Sequence, residues 1–175
     1  MAHIIEQYRR FIRAMTEQGK ILLGVCFGHQ GLAETFDGTV ENSRDPQFGI
    51  QRVRLTEEGK RHPLFHGLPE EMDLPASHFD HVSQIHTTRQ KILATTDACP
   101  VYAIDIETGN NGVAWGIQFH PEMNGERLAE VIEMKKENIP DWKKKKKAAK
   151  KAVLDNCGEK IIANYGRTVV KAKRQ

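Results

Sequence analysis

One segment of this 175-residue chain constrains its fold more than any other, because a continuous apolar run, Ile21–Val25, leads without a linker into Cys26. Such a run is typical of a central strand that helices cover on both faces of a parallel sheet. Residues 28–36 then have helical spacing, and Asp37-Gly38 ends the predicted helix. The sequence therefore predicts a buried strand that turns directly into a helix at Cys26.

Patterns on either side of this segment favour an α/β domain. Apolar side chains recur every three or four positions over residues 3–17, which predicts an amphipathic helix before the strand. Strands are predicted at residues 49–55, 91–95, 101–106 and 112–119. Helices are predicted from residue 126 to the break at Ile139-Pro140, and from residue 141 to about residue 151. The last helix could extend through residue 162, although Gly158 interrupts the pattern.

Composition argues against several classes of protein. Cys26, Cys99 and Cys157 are scattered and form no C-x-x-C pair, so neither a disulfide framework nor a zinc site is indicated. No run approaches the ~18 uncharged apolar residues of a membrane helix, and the first ten residues lack the pattern of a secretory signal. We therefore expect a cytoplasmic protein with no membrane contact, no metal and no cofactor.

Charge is distributed unevenly along the chain. Residues 135–175 contain 14 Lys+Arg and 4 Asp+Glu, whereas residues 1–134 contain 12 and 19, so a basic segment follows an acidic body. We interpret the Lys-rich stretch 143–151 as a solvated helical face and do not expect nucleic acid as a partner. Docking to an acidic partner or to nucleic acid remains the alternative.

The pattern Gly24-Val25-Cys26-Phe27-Gly28 has the form G-x-nucleophile-x-G. In such a turn the nucleophile is held exposed in a strained conformation, and we expect a Cβ at either glycine to collide with the neighbouring backbone. The N-terminus of the following helix would lower the pKa of the thiol and offer amides to an oxyanion. The alternative is that Cys26 is a small buried hydrophobic residue at a strand end.

A second segment, Trp115 to Glu122, ends an apolar strand in His120 and places an acid two residues later. A cysteine nucleophile needs a base, and the base needs a third group that fixes its orientation. His120 and Glu122 are candidates for these two roles. On the residues alone, His120 could equally be a core histidine with satisfied hydrogen bonds.

Together, GVCFGHQ and WGIQFHPE resemble the paired signatures of the class I glutamine amidotransferases. The resemblance extends from about Phe11 to Glu122, and the segment 77–82 is similar to the Ser-His-Gly-Asp-x-Val segment of the GMP-synthase-like branch. It implies a three-layer, flavodoxin-like α/β fold with a mostly parallel sheet flanked by helices. Family members usually have roughly 70 to 80 residues before the equivalent of Gly19, so the resemblance also implies an N-terminally truncated sheet without the loop that carries the second oxyanion amide.

The resemblance also implies roles for individual residues. Cys26 would attack the side-chain amide of glutamine and form a γ-glutamyl thioester, His120 would act as general base and then general acid, and Glu122 would orient His120. The Phe27 amide would donate to the oxyanion. The residues implied to bind substrate are Gln30, Ser77, His78, Phe79 and Asp80, of which Phe79 stands where the family has glycine.

We therefore expect residues 1–134 to form an amidotransferase catalytic domain, incomplete at its N-terminus, and residues 135–175 to form a basic helical segment that packs on it or extends it. The expected activity is glutaminase, with glutamine as substrate and an unknown ammonia acceptor, on a separate acceptor or synthetase protein. Homo-oligomerisation is a further option. Two other functions stay open: a catalytically impaired binding or regulatory module, and a hydrolase of γ-glutamyl peptides or other small amides.

Overall fold

The computed structural model describes residues 2–109 and 112–172, without the side chains of residues 2 and 44. The helices are α1 Ala2–Glu17, α2 Phe27–Thr35, α3 Glu57–Arg61, α4 Gly125–Met134, α5 Trp142–Lys151 and α6 Cys157–Ala172, with short 3₁₀ turns at Pro63–Phe65 and Lys136–Asn138. The strands are β1 Ile21–Val25, β2 Thr39–Leu55, β3 Glu71–Gln84, β4 Gln90–Thr95, β5 Ala103–Glu107 and β6 Val113–Ile117. None of the described helices is both long enough and apolar enough to cross a membrane.

The described strands form one sheet in the order β1-β6-β5-β4-β2-β3. Only β1 and β6 run parallel, with Ile21 opposite Val113 and Val25 opposite Ile117. Every other described pair is antiparallel. The α/β layering is confirmed, but the expectation of a mostly parallel sheet is wrong for these strands, since short connections let β2 to β6 pair as antiparallel neighbours.

Strand β1 lies at one edge of the described sheet, with β6 as its single partner strand there. Its side chains at positions 21, 22, 23 and 25 are only partly buried. The expectation of a central strand is therefore wrong for the described residues, whereas helices do cover both faces of β1. Burial of this apolar strand comes from β6 on one side and from helices above and below, including Tyr165 of α6, whose hydroxyl donates to the Ile21 carbonyl (2.9 Å).

Helices cover both faces of the sheet. On one face α1 and α2 bury Ile12, Leu32 and Ala33 against Ile104 and Ala114. On the other face the 3₁₀ turn at Pro63–Phe65 and helix α6 pack against Trp115, Ile117 and Phe119. A third apolar cluster joins α4 and α5 to the long hairpin of β2 and β3, and its members include Phe48, Phe79, Leu128, Ile132, Ile139 and Ala149.

The sequence predicted most helices well and the sheet less completely. The β3 strand was not predicted, because Pro75 and several polar residues obscure its alternation, although it pairs with β2 over most of its length. Residues 101 and 102 precede β5, and Val101 forms only an isolated bridge to Val82. Gly158 lies inside the separate helix α6, where a Cβ would approach the Pro121 carbonyl oxygen to 2.3 Å, so it permits close packing and does not interrupt the helix.

The two glycines that flank Cys26 are not equivalent. A Cβ on Gly24 would lie 2.5 Å from backbone atoms of Gly28 and 2.7 Å from Leu32 Cδ1, so β1 and α2 meet at a distance that only glycine allows. A Cβ on Gly28 would meet only Tyr8 Oη at 3.6 Å, an ordinary contact. The expected backbone collision is therefore confirmed at Gly24 and wrong at Gly28.

This difference gives a stability prediction. Gly24→Ala should destabilise the protein by about 1–3 kcal/mol, because the added methyl group forces the strand and the helix apart. Gly28→Ala is the matched control and should change stability little. Thermal unfolding of both variants checks this, and equal melting temperatures for the two would contradict it.

Candidate active site

The parallel pairing of β1 with β6 brings the two candidate catalytic segments to the same edge of the sheet. Cys26 follows β1 and His120 comes three residues after the end of β6. The Cys26 N–H donates to the Ile117 carbonyl (2.8 Å), so the pairing continues one residue past β1. Because parallel strands end on the same side of a sheet, the thiol and the imidazole emerge next to one another.

Cys26 has a strained backbone conformation, with φ 52° and ψ −104°. A non-glycine residue with positive φ is uncommon and costs of order 1–3 kcal/mol, so the surrounding structure must enforce it. The chain enters helix α2 at the next residue, and the Gln30 N–H donates to the Cys26 carbonyl (3.1 Å) as its first turn. The Phe27 side chain is 63% exposed and stacks on Tyr8 of α1, with ring centroids 5.7 Å apart.

His120 is held from both sides. Its backbone N–H donates to the Pro75 carbonyl of β3 (2.8 Å), and its Nδ1 lies 2.6 Å from Glu122 Oε1. The imidazole also hydrogen-bonds the Cys26 side chain. The three residues Cys26, His120 and Glu122 thus form one connected chain of contacts.

The electrostatic interactions among Cys26, His120 and Glu122 favour a charged imidazole. Burial by itself would lower the pKa of His120, but the hydrogen bonds to Cys26 and Glu122 and the charges of these groups outweigh it and raise the pKa to about 9. Burial likewise opposes ionisation of Glu122, yet its hydrogen bond to His120 lowers the pKa of the carboxyl group below its usual value. These contacts therefore favour an imidazolium at His120 beside an ionised Glu122.

The segment from Ser77 to Asp80 lies on β3, beside the thiol. The Ser77 carbonyl oxygen is 4.0 Å from Cys26 Sγ. The Asp80 carbonyl accepts from Gln30 Nε2 (2.7 Å) and lies 3.0 Å from His78 Nδ1. Gln30, Ser77, His78 and Asp80 are thus joined to one another around Cys26.

Three residues of this segment have side-chain contacts with groups other than the sulfur. His78 is buried, its Nε2 faces the Tyr102 hydroxyl at 3.5 Å, and burial lowers its pKa to about 4. The Asp80 carboxylate accepts from Asn42 Nδ2 (2.8 Å). The Phe79 ring packs edge-on against Phe48, with centroids 4.8 Å apart. The backbone carbonyls of Ser77 and Asp80 are the groups of this segment that contact Cys26 and Gln30.

His29 belongs to the core and not to the chain of contacts around Cys26. His29 is fully buried, its Nε2 lies 3.2 Å from the Val101 carbonyl, and burial lowers its pKa to about 3, so it is a neutral core residue. Over residues 2–109 and 112–172, no three or more His, Cys, Asp or Glu side chains are grouped to hold a metal ion. A cavity of about 650 Å³ borders Glu122, Pro75 and the start of α6.

Comparison with known proteins identifies the family of this chain. The sequence profile of the glutamine amidotransferase class-I family matches residues 2–139. The chain belongs to this family. It is 39% identical over 114 residues to a GMP synthase [glutamine-hydrolyzing] of Clostridium novyi. These residues make up 65% of this chain and 21% of that protein. It is 32% identical over 120 residues to one of the subunits of the GMP synthase [glutamine-hydrolyzing] of Pyrococcus furiosus, covering 69% of this chain and 56% of that relative.

Solved structures share the fold of this amidotransferase. A glutamine amidotransferase from Thermotoga maritima superposes with a TM-score of 0.72 at 18% identity, covering 95% of this chain and 69% of that one. One from Methylobacillus flagellatus gives 0.71 at 17% identity, covering 95% and 68%. The three-layer α/β class expected from the sequence is confirmed. The chain spans about half the length of the Pyrococcus relatives and about a fifth of the longer synthases.

Sequence reasoning missed one residue of the amidotransferase site, Gln118. Its side chain is fully buried, and its Nε2 donates to Cys26 Sγ at 3.6 Å. Its Oε1 accepts from Gln30 Nε2 at 3.3 Å, which connects the thiol to the residue that contacts β3. The sequence could have indicated Gln118, because it lies in an apolar run two residues before His120 and a polar side chain buried there needs a hydrogen-bond partner.

The contacts of His120 give a prediction for its titration. Glu122→Gln should lower the pKa of His120 from about 9 by roughly 1–3 units, because a neutral amide no longer stabilises the imidazolium. When the pH is raised, His120 of this variant would therefore lose its proton at a lower pH than His120 of the unaltered protein. Glu126→Gln, an exposed acid in the first turn of α4, is the control and should leave the titration unchanged. Nuclear magnetic resonance of the labelled imidazole measures both, and an unshifted pKa in the Glu122 variant would contradict this account.

Proposed function

We propose that this protein is a glutaminase, which hydrolyses the side-chain amide of glutamine and releases ammonia. The observation that carries the proposal is the connected chain from Cys26 through His120 to Glu122 at the strained turn after β1. The family match and the glutamine-hydrolysing relatives agree with it.

In the proposed mechanism, the Cys26 sulfur attacks the amide carbon of glutamine as a thiolate paired with the His120 imidazolium. His120 then gives its proton to the leaving ammonia, and the γ-glutamyl group stays on the sulfur as a thioester. Neutral His120 next takes a proton from water, which attacks the thioester and releases glutamate. Glu122 keeps the imidazole oriented through Nδ1 in both steps.

Several groups would stabilise the negative oxygen and position the substrate. We assign the Phe27 amide, at the N-terminus of α2, as one donor to the oxyanion, which in other enzymes contributes about 3–4 kcal/mol per donor. Gln30, held by the Asp80 carbonyl and by Gln118, and the β3 backbone from Ser77 to Asp80 would line the glutamine site. Gln118 would also stabilise the thiolate through its Nε2.

We further propose that the acceptor of the ammonia belongs to a separate protein. The Pyrococcus relatives are named as subunits of a GMP synthase, so an arrangement with a separate synthetase partner has precedent among the relatives. Because the mechanism needs Cys26 as a free thiol, the proposal places the enzyme in a reducing compartment such as the cytoplasm. The domain assignment, with a catalytic unit over residues 1–134 and a basic helical segment over 135–175, stays part of this proposal.

Ammonia release from glutamine tests the proposal. The purified protein should release ammonia, and Cys26→Ala should abolish release. Cys99→Ala is the matched control and should retain it, because Cys99 is buried and burial raises the pKa of its thiol to about 12. Release that survives in Cys26→Ala would contradict the proposal. No release from a protein that unfolds cooperatively would favour a binding or regulatory module. Hydrolysis of γ-glutamyl peptides, which frees an amino acid in place of ammonia, without hydrolysis of glutamine would favour the peptide hydrolase.

A further inference from the structure

Lys135 is a half-buried lysine close to the candidate site that the proposed reaction does not use. It caps the C-terminal end of α4, where its N–H donates to the Val131 carbonyl (3.2 Å). Its own carbonyl accepts from the Asn138 N–H (2.9 Å) in the following 3₁₀ turn. These two bonds fix the backbone from which the side chain extends.

The ammonium group of Lys135 extends toward β3 beside the nucleophile. Its Nζ donates to Ser77 Oγ at 3.3 Å and lies 5.5 Å from the centroid of the Phe48 ring. Ser77 is the residue whose carbonyl oxygen lies 4.0 Å from Cys26 Sγ. A single residue therefore separates the ammonium group from the sulfur.

Among the described residues, this ammonium group has no anionic partner. No carboxylate within the described part of the chain forms an ion pair with Lys135, whereas Lys146 of the neighbouring helix α5 pairs with Glu133 at 2.6 Å. An ammonium has three donors, and the Ser77 hydroxyl accepts from only one of them. The other donors of this half-exposed ammonium group are available to a ligand, and an anion is the ligand that a cationic donor binds most strongly.

The position of Lys135 depends on two aromatic rings of the β2–β3 hairpin. Phe79 packs edge-on against Phe48. The Lys135 ammonium group lies over the Phe48 ring. Phe48 is almost completely buried, so the ring is rigidly placed. The aromatic residue at position 79 thus helps to hold the cation next to Ser77.

We propose that Lys135 binds the α-carboxylate of the substrate, so that the site selects amides carrying a free α-carboxylate. The inference rests on the proposed glutaminase function and adds the group that recognises the far end of the substrate. With the amide carbon of glutamine at the Cys26 sulfur, its short aliphatic chain runs past Ser77 toward the ammonium group. The α-carboxylate then takes the donors that Ser77 leaves free.

The test measures the rate at which Cys26 is modified by a chloroketone analogue of glutamine and by the α-methyl ester of that analogue. Lys135→Met should slow modification by the free acid about 10- to 100-fold, the range for a lost hydrogen bond to a charged group. The rate with the methyl ester should stay the same. Iodoacetamide, which carries no carboxylate, should also react at the same rate, because thiolate reactivity is not changed.

Three further variants separate recognition from structural damage. Lys135→Arg should retain most of the preference for the free acid, and Lys135→Gln, which keeps a donor for Ser77 without the charge, should lose it. Lys136→Met is the matched control, because Lys136 is exposed and its Nζ lies over Trp142 at 6.0 Å, away from Ser77. In glutamine hydrolysis, Lys135→Met should raise KM and change kcat little.

The outcomes distinguish this inference from the function on which it rests. An unchanged ratio of free-acid to ester rates in Lys135→Met and Lys135→Gln overturns the role of Lys135 and leaves the glutaminase proposal standing. Equal rates of modification by the free acid and by the ester in the unaltered protein would also overturn the role of Lys135 and leave the glutaminase proposal standing. If neither analogue modifies Cys26 faster than iodoacetamide does, the glutaminase proposal fails, and this inference fails with it.

Discussion

The site depends on the parallel pairing of β1 with β6. This pairing is the only parallel contact among the described strands, and it brings the ends of two segments almost a hundred residues apart to one edge of the sheet. The hydrogen bond from the Cys26 N–H to the Ile117 carbonyl continues the pairing into the turn. Without this register, Cys26 and His120 would not meet, and no local feature of either segment could replace it.

The strain at Cys26 is maintained by the packing around it. Gly24 lets α2 approach β1 so closely that a side chain cannot fit between them. The buried Gln118 donates to the sulfur and accepts from Gln30, and Gln30 in turn donates to the β3 backbone at Asp80. These contacts connect β1, β6 and β3 around one atom, so the positive φ of Cys26 is imposed by three elements together.

The two candidate catalytic segments could be recognised in the sequence because their signals are local. A glycine-flanked cysteine after an apolar strand, and a histidine with an acid two residues later, carry their chemistry in the chain itself. The helices were predicted for the same reason, since their periodicity spans many residues. Gly158 was misjudged because its role, close packing of α6 against Pro121, involves a residue distant in sequence.

Strand partners and the supporting residues could not be predicted in this way. The β3 strand contains Pro75 and polar residues, and only its long pairing with β2 makes it a strand. The antiparallel neighbours of β5 and the edge position of β1 are properties of the whole sheet, which no window of sequence contains. Gln118 and Lys135 were missed because their significance lies in contacts with Cys26 and Ser77 across the fold.

The central claim is that Cys26 forms a covalent γ-glutamyl intermediate in a site assembled by β1 and β6. Mass spectrometry of the Cys26-containing peptide, after the protein has been mixed with isotopically labelled glutamine and quenched in acid, tests it most directly. The account predicts that this peptide gains one labelled γ-glutamyl group, and that hydroxylamine, which cleaves thioesters, removes it. Absence of the label from this peptide while glutamine is being hydrolysed, or its presence on the Cys99 peptide, would contradict the account.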